Sequence, residues 1–111
     1  MRINRMAAQP IVDEWFELTR DTMPCLAKER GWPVRFDHCF QRILLDNAVG
    51  GAWKEAIASP AYRNATDAQL RQAIALGREA VNGEADLSEL NRRSLVWRGK
   101  REDRSVRRSR V

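Results

Sequence analysis

The residues with the greatest chemical potential lie in one short stretch, FDHCFQRILLDN, at residues 36–47. It contains the chain's single histidine, His38, and it places Arg42 and Asp46 at successive steps of four residues. On a helix these side chains line one face, where an imidazole beside an arginine and a carboxylate can transfer protons or bind an anion. His38, Arg42 and Asp46 are therefore the candidate catalytic residues. The alternative is structural: Arg42 and Asp46 form an intrahelical ion pair, and His38 caps or packs nearby.

The same stretch does not predict a cysteine nucleophile or a metal centre. Cys39 directly follows His38, and adjacent side chains on a helix diverge by about 100°, so the thiol does not face the imidazole. Cys39 instead shares a face with Ile43 and Phe36, which predicts a buried structural thiol. One histidine and two cysteines, Cys25 and Cys39, do not complete the ligand set of a zinc site. No metal and no cofactor are expected, and both thiols are expected to be free.

Helices have to position these residues, because apolar residues recur at spacings of three and four and strict alternation is almost absent. The pattern predicts an all-α fold, a small single-domain bundle of about four to six short helices. The first helix begins near Pro10 and ends near Asp21 or Thr22. Pro24 then opens a short second helix, which Gly31 ends.

The 36–47 stretch lies on the next helix, for which Asp37 is a candidate N-cap. A second stripe of this helix predicts its buried face. The members of that stripe are Phe36, Phe40, Ile43, Leu44 and Asn47. The glycine pair at residues 50 and 51 breaks the helix near residue 49, and the sequence AWKEAIAS at residues 52–59 resumes it for about two turns.

Two further helices follow in the second half of the chain. The sequence TDAQ at residues 66–69 has the form of a capping box and begins a helix that Asn82 and Gly83 end. Asp86 is a candidate cap for the last helix, which runs to about Arg98.

The positive charge of the chain is concentrated at its C-terminal end. The formal net charge is +5, but residues 92–111 carry nine cations and two anions, a local net charge of +7. Such a segment attracts polyanions, and it lacks the apolar surface that offsets the entropy of ordering. We therefore predict a flexible N-terminus at 1–9, a helical domain at 10–98 and a basic disordered tail at 99–111. The predicted polyanion-binding residues are Arg92, Arg93, Arg98, Lys100, Arg101, Arg104, Arg107, Arg108 and Arg110.

Trp97 differs from the other three tryptophans, Trp15, Trp32 and Trp53, because arginines surround it in NRRSLVWRGKR. The other three lie among apolar neighbours and are predicted to be core residues. At Trp97 two alternatives stay open: a cationic helix end with one aromatic side chain grips a phosphate backbone, or the indole packs inward. Leu95 and Trp97 are also the candidate docking residues for a protein partner or a second copy, since short helices can leave apolar surface uncovered.

Three segments of the chain carry a resemblance to a known group: FDHCFQRILLDNAVGGAW, PAYRNATDAQLRQAI and LNRRSLVWRGK. Together they resemble a group of short bacterial proteins with an FDHCF-type helix, a central LSDEQL-like cap and a closing SLxWRGK box, over residues 33–100. Members of that group are sometimes labelled GCN5-related acetyltransferases, which implies acetyl-CoA chemistry. That superfamily's mixed α/β fold and glycine-containing pyrophosphate loop have no counterpart in this sequence, so no acetyl-CoA site is assigned.

Three functions are compatible with the sequence. The first is a small helical binding module whose basic C-terminal segment contacts nucleic acid or another polyanion. The second is a protein-interaction or regulatory subunit that docks on a larger partner. The third, an acetyltransferase-like enzyme, ranks last because neither a pocket nor an oriented substrate is apparent. No apolar run approaches the roughly 20 residues of a membrane span, and no targeting segment is evident, so a cytoplasmic location is expected.

Overall fold

Six α-helices make up most of residues 6–99, the part of the chain that the structure, a computed structural model, describes. They are α1 (Gln9–Phe16), α2 (Met23–Arg30), α3 (Asp37–Val49), α4 (Ala61–Asn64), α5 (Asp67–Val81) and α6 (Leu87–Trp97). A π-helical segment, Glu17–Thr22, and a 3₁₀ turn, Trp53–Glu55, complete the helical elements of these residues. One antiparallel bridge joins Met6 to Thr66. The predicted all-α fold is confirmed.

The π-helical segment joins α1 and α2 into one unbroken helical stretch. The predicted end of the first helix near Asp21 was therefore wrong. The Met23 N–H donates to the Leu18 carbonyl, five residues back, so the helix widens locally instead of ending. Pro24 lies in the first turn of α2, where proline is tolerated. A proline usually separates two helices, but the π-helical widening before Pro24 lets this helical stretch continue.

Helix α3 lies at the centre of the core and packs against both α5 and α6. Phe40, Ile43 and Leu44 are fully buried, as predicted. Phe36 is 64% exposed, so its predicted place in the core was wrong. It is the N-cap of α3, with φ −103° and ψ 151°, and helical spacing does not govern a side chain outside the helix. Asp37 is consequently the first helical residue rather than the cap.

Helix α5 begins with the predicted capping box and approaches α3 closely at one glycine. The Thr66 hydroxyl oxygen accepts the Gln69 N–H at 3.1 Å, and Gln69 Oε1 accepts the Thr66 N–H at 2.9 Å. Further along, a Cβ added at Gly77 would lie 2.6 Å from Leu18 Cδ2 and 2.9 Å from Leu44 Cδ1. Because these distances are too short for packed carbon atoms, the missing side chain is what lets α5 approach this closely.

The chain turns sharply after α3, and residues 52–59 do not form an α-helix. Gly50 has φ 77°, the left-handed conformation that ends α3 where predicted. Residues 53–55 form only a 3₁₀ turn, so the two helical turns predicted for residues 52–59 were wrong. The Asp46 carboxylate accepts the Trp53 N–H at 2.9 Å. This bond ties the start of the turn to α3 and holds the connection in a compact conformation.

Helix α6 begins at the predicted cap. Asp86 Oδ1 accepts the backbone N–H of Ser88 at 2.9 Å and of Glu89 at 3.4 Å. The helix ends at Trp97, one residue before the predicted end. Its buried face changes from apolar to polar along its length. The buried residues are Leu87, Leu90, Asn91 and Ser94.

The two predicted terminal regions fall only partly within the described residues. At the N-terminus the Ala7 N–H donates to the Ala65 carbonyl at 3.2 Å, beside the bridge between Met6 and Thr66. Residues 1–5 and 100–111 lie outside the described residues, and the predicted disordered tail falls almost wholly in the second of these ranges.

Candidate functional site

A buried carboxylate, Asp46 of α3, is the centre of the polar residues that the sequence singled out. Its side chain is fully buried and accepts hydrogen bonds from three different residues. Arg98 donates to both oxygens, from Nε at 2.6 Å and from Nη2 at 2.9 Å. Ser94 Oγ donates to Oδ2 at 2.6 Å, and the Trp53 backbone N–H donates to Oδ1 at 2.9 Å. Asp46 thus joins α3 to the end of α6 and to the 3₁₀ turn.

The intrahelical ion pair considered for Arg42 and Asp46 was wrong. Arg42 instead donates from Nη1 to Ser94 Oγ at 2.7 Å and from Nη2 to Asn91 Oδ1 at 3.0 Å. Ser94 accepts from Arg42 and donates to Asp46, so one hydroxyl links the two charged groups. The ionic partner of the carboxylate is Arg98, the residue directly after α6, whose guanidinium meets both oxygens and leaves no free edge for Arg42.

No carboxylate among the described residues pairs with the Arg42 guanidinium. Its hydrogen-bond partners are a hydroxyl and an amide oxygen, and both are neutral. The guanidinium is half-buried and has further N–H donors that these two bonds do not use. An arginine held in place by neutral groups retains its attraction for an external anion.

His38 lies at the edge of this arrangement rather than within it. Its side chain is 76% exposed, with Nδ1 3.7 Å from Asp37 Oδ1. The imidazole stacks on the Phe36 ring, with 5.8 Å between centroids and an interplanar angle of 3°. The structure therefore links Arg42 to Asp46 through a hydroxyl and leaves His38 apart, without a hydrogen bond to either. The three candidate catalytic residues are not assembled into one proton-transfer set.

His38, Arg42 and Arg98 nevertheless line one cleft, which has a volume of about 520 Å³. Arg20 and Lys54 add two more cations to its walls. None of the described residues that line the cleft is an aspartate or a glutamate. The volume lies within the range of ligand-binding sites, about 300–1,000 Å³. The sign of the charge on its walls favours an anionic ligand.

Aromatic rings lie between these cations. Phe16 and Tyr62 meet edge to face, with 5.2 Å between ring centroids. The Arg20 guanidinium lies over the Phe16 ring, 3.8 Å from its centroid, and Lys54 Nζ lies 5.7 Å from the centroid of Trp53. These cation–π contacts hold positive charge next to flat apolar surface. The cleft thus offers a ligand both charged groups and aromatic faces.

Three of the nine predicted polyanion-binding residues lie within residues 6–99, and each contacts a carboxylate. Arg92 and Arg93 both bind Glu89, at 2.7 Å and 3.1 Å. These bonds, the one from Arg92 above all, lower the pKa of Glu89 to about 2. The hydrogen bond between Arg98 and Asp46 raises the pKa of the Arg98 guanidinium. The other six predicted residues lie beyond residue 99, outside the described range.

The remaining candidate residues lie away from the cleft lining. Trp97 is 40% exposed and Leu95 is half-buried. Cys25 and Cys39 are both free thiols, and Cys39 is less buried than predicted because its expected neighbour Phe36 lies outside the core. Within residues 6–99, no cluster of histidine, cysteine, aspartate and glutamate side chains is arranged to hold a metal ion. No helix in the same range has the length and apolar character needed to cross a membrane.

Four residues of the site were missed by the sequence analysis: Asn91, Ser94, Arg20 and Lys54. The first two had a detectable signal, because they take inward positions on α6 at the spacing of its buried leucines. A polar residue at such a position needs a hydrogen-bond partner. Arg20 and Lys54 had no such signal, since they belong to separate segments that only the folded chain brings to one cleft.

Comparison of the chain with protein-family models, with curated proteins and with solved structures gives no match. The resemblance to short bacterial proteins with a closing SLxWRGK box therefore stays a prediction. The cleft and the charges around it are the basis for a functional assignment.

Proposed function

We propose that this protein is a nucleic-acid-binding module that holds phosphate groups in its cationic cleft. One observation carries the proposal: Arg42 and Lys54 line the cleft without a carboxylate partner among the described residues, and no described acidic side chain lies on its walls. Charges of one sign in a concave site concentrate the local potential and attract ligands of the opposite sign. Phosphate is an anion that both side chains bind well, arginine through its fork of N–H donors and lysine as a compact charge.

The sequence that follows Arg98 is also positively charged. Arg98 lines the cleft, and residues 100–111 contain six cations and two anions. A phosphate polymer suits this distribution better than a small anion does, because a polymer can contact the cleft and the following segment together. Each phosphate that is neutralised releases counterions, so the contacts add to the affinity and make it dependent on salt.

The test measures binding of the full-length chain to a labelled oligonucleotide by fluorescence anisotropy across a salt series. For single strands the slope of log affinity against log salt is about 0.7 per phosphate contact. Lys54→Gln and Arg42→Met are each expected to lower that slope by about 0.7 and to weaken binding at low salt. Lys54 is exposed and makes no hydrogen bond or ion pair with the described residues, so its replacement tests the cleft without disturbing the fold.

Arg71→Met is the matched control, because it removes one positive charge from an exposed position outside the cleft lining. It is expected to leave the slope unchanged. Two results overturn the proposal: no binding at low salt, or an equal loss in Arg71→Met and Lys54→Gln. Binding of a heparin oligosaccharide without binding of any oligonucleotide overturns the assignment to nucleic acid.

A further inference from the structure

The aromatic side chains of the cleft bear on whether its ligand is single-stranded or double-stranded nucleic acid. Trp53 and Tyr62 line the cleft beside Lys54, and Tyr62 is 37% exposed. Trp53 is half-buried, and it is one of the residues that line the cleft. A site for phosphates alone needs no aromatic surface of this kind. The pairing of rings with cations therefore points to a ligand that carries both phosphate groups and flat apolar groups.

The rim of the cleft adds two further π surfaces. The exposed imidazole of His38 lies parallel to the Phe36 ring, which itself lies mostly in solvent. The Arg20 guanidinium lies over the Phe16 ring, 3.8 Å from its centroid. Both an imidazole and a guanidinium plane can stack on a nucleobase.

Base faces are accessible only where strands are unpaired. In a duplex each base is covered above and below by its neighbours, so aromatic side chains in a cleft cannot reach a base face without separating the strands. In a single strand, phosphates and open base faces alternate along the chain. Cations on a protein surface can bind the phosphates while aromatic rings beside them stack on the bases.

We infer that the cleft binds a short segment of single-stranded nucleic acid, with Arg42 and Lys54 on backbone phosphates and with Trp53 and Tyr62 stacked on bases. The inference rests on the proposed function and adds the class of nucleic acid to it. The cleft volume of about 520 Å³ accommodates only a short segment. Stacking tolerates any base, because every base has a π face, so little sequence preference is expected.

The experiment compares three labelled ligands of equal length at one salt concentration: a single strand, the corresponding duplex, and an abasic strand with the same phosphates. Wild-type protein is expected to bind the single strand at least about tenfold more tightly than either of the other two. Tyr62→Ala is expected to weaken single-strand binding about 5- to 150-fold, the range seen when one stacked aromatic is removed. Tyr62→Phe keeps the ring and is expected to restore binding.

Met6→Ala provides the control, because Met6 is a large apolar residue in an exposed position, at 53%, outside the cleft lining. It is expected to change single-strand affinity less than twofold. Equal affinity for the single strand and the duplex, or equal losses in Tyr62→Ala and Met6→Ala, overturns the inference and leaves the proposed function in place. No binding of any of the three ligands at low salt overturns both. Thermal unfolding of each variant shows whether a lost signal comes from a lost fold.

Discussion

Replacement of Asp46 by asparagine tests the idea that one buried carboxylate holds the cleft together. In Asp46→Asn the side chain keeps one acceptor oxygen, and its second oxygen becomes an NH₂ donor. If the retained oxygen stays at the Oδ1 position, it still accepts from Trp53 N–H and Arg98 Nη2. The NH₂ group then faces the Ser94 hydroxyl, which can turn from donor to acceptor, and Arg98 Nε–H, which can only donate, so the 2.6 Å hydrogen bond from Arg98 Nε is lost.

The expected cost follows from the loss of that bond and of the charge of its acceptor. A hydrogen bond to a charged group contributes about 1.5–3 kcal/mol, and breaking a fully buried ion pair costs about 3–5 kcal/mol. The Arg98 side chain is 22% exposed and can recover part of its hydration, which places the cost below the second range. We expect Asp46→Asn to lower the free energy of unfolding by about 2–4 kcal/mol.

Urea unfolding followed by tryptophan fluorescence measures this change. With an m-value of about 1.5 kcal/mol/M, the midpoint is expected to fall by about 1–3 M. Asp13→Asn is the control, because Asp13 is exposed on α1 and, among the residues that the structure describes, accepts a side-chain hydrogen bond from the exposed Gln9 alone. Its expected change is within about 0.5 kcal/mol. A loss below about 1 kcal/mol for Asp46→Asn, or equal losses for both variants, refutes the central role of Asp46.

Two further predictions concern packing and pH. Gly77→Ala is expected to destabilise the fold by about 1 kcal/mol in urea unfolding. The new methyl group meets Leu18 and Leu44 in the core, and this strain exceeds the gain in helix propensity. A more stable variant would contradict the close approach of α5 to α3. Hydrogen bonds from arginines, the one from Arg92 above all, lower the pKa of Glu89 to about 2, from about 4.3 in the unfolded chain. The carboxylate therefore stabilises the fold above about pH 4.3, and this contribution is lost as the pH falls through about 2. The carboxylate is partly exposed, so Glu89→Gln is expected to cost less than about 1 kcal/mol at neutral pH and nothing below about pH 2. A carbon-13 titration of the Glu89 carboxyl group with a midpoint near pH 4 would rule this out.

The helices that the sequence predicted correctly are those whose signals are local. The capping box at Thr66, the cap at Asp86 and the end of a helix near residue 49 are each confirmed. Each depends on hydrogen bonds or backbone conformation within about four residues, so the sequence alone contains the necessary information. The helix predicted for residues 52–59 also had a local signal, but a neighbouring element changed its effect. Asp46, for example, binds the start of the turn at Trp53.

The site itself depended on contacts between distant segments. The spacing of His38, Arg42 and Asp46 correctly predicted a polar stripe on a helix, but not the partner of any of the three. Arg42 and Asp46 take theirs from α6, about fifty residues later in the chain, and His38 stacks on a residue outside the helix. Periodicity predicts which side chains share a face and contains no information on what faces them.

By itself the sequence determined an all-α domain, its main helices and caps, and the concentration of positive charge at the C-terminal end. The tertiary structure decided that Asp46 is buried under Arg98, that Arg42 has no carboxylate partner within residues 6–99, and that Lys54 and Tyr62 line the same cleft. The division has a physical cause. Helix formation and capping are set by bonds between near neighbours, whereas burial, ion pairing and the shape of a cleft arise only when separate helices pack together.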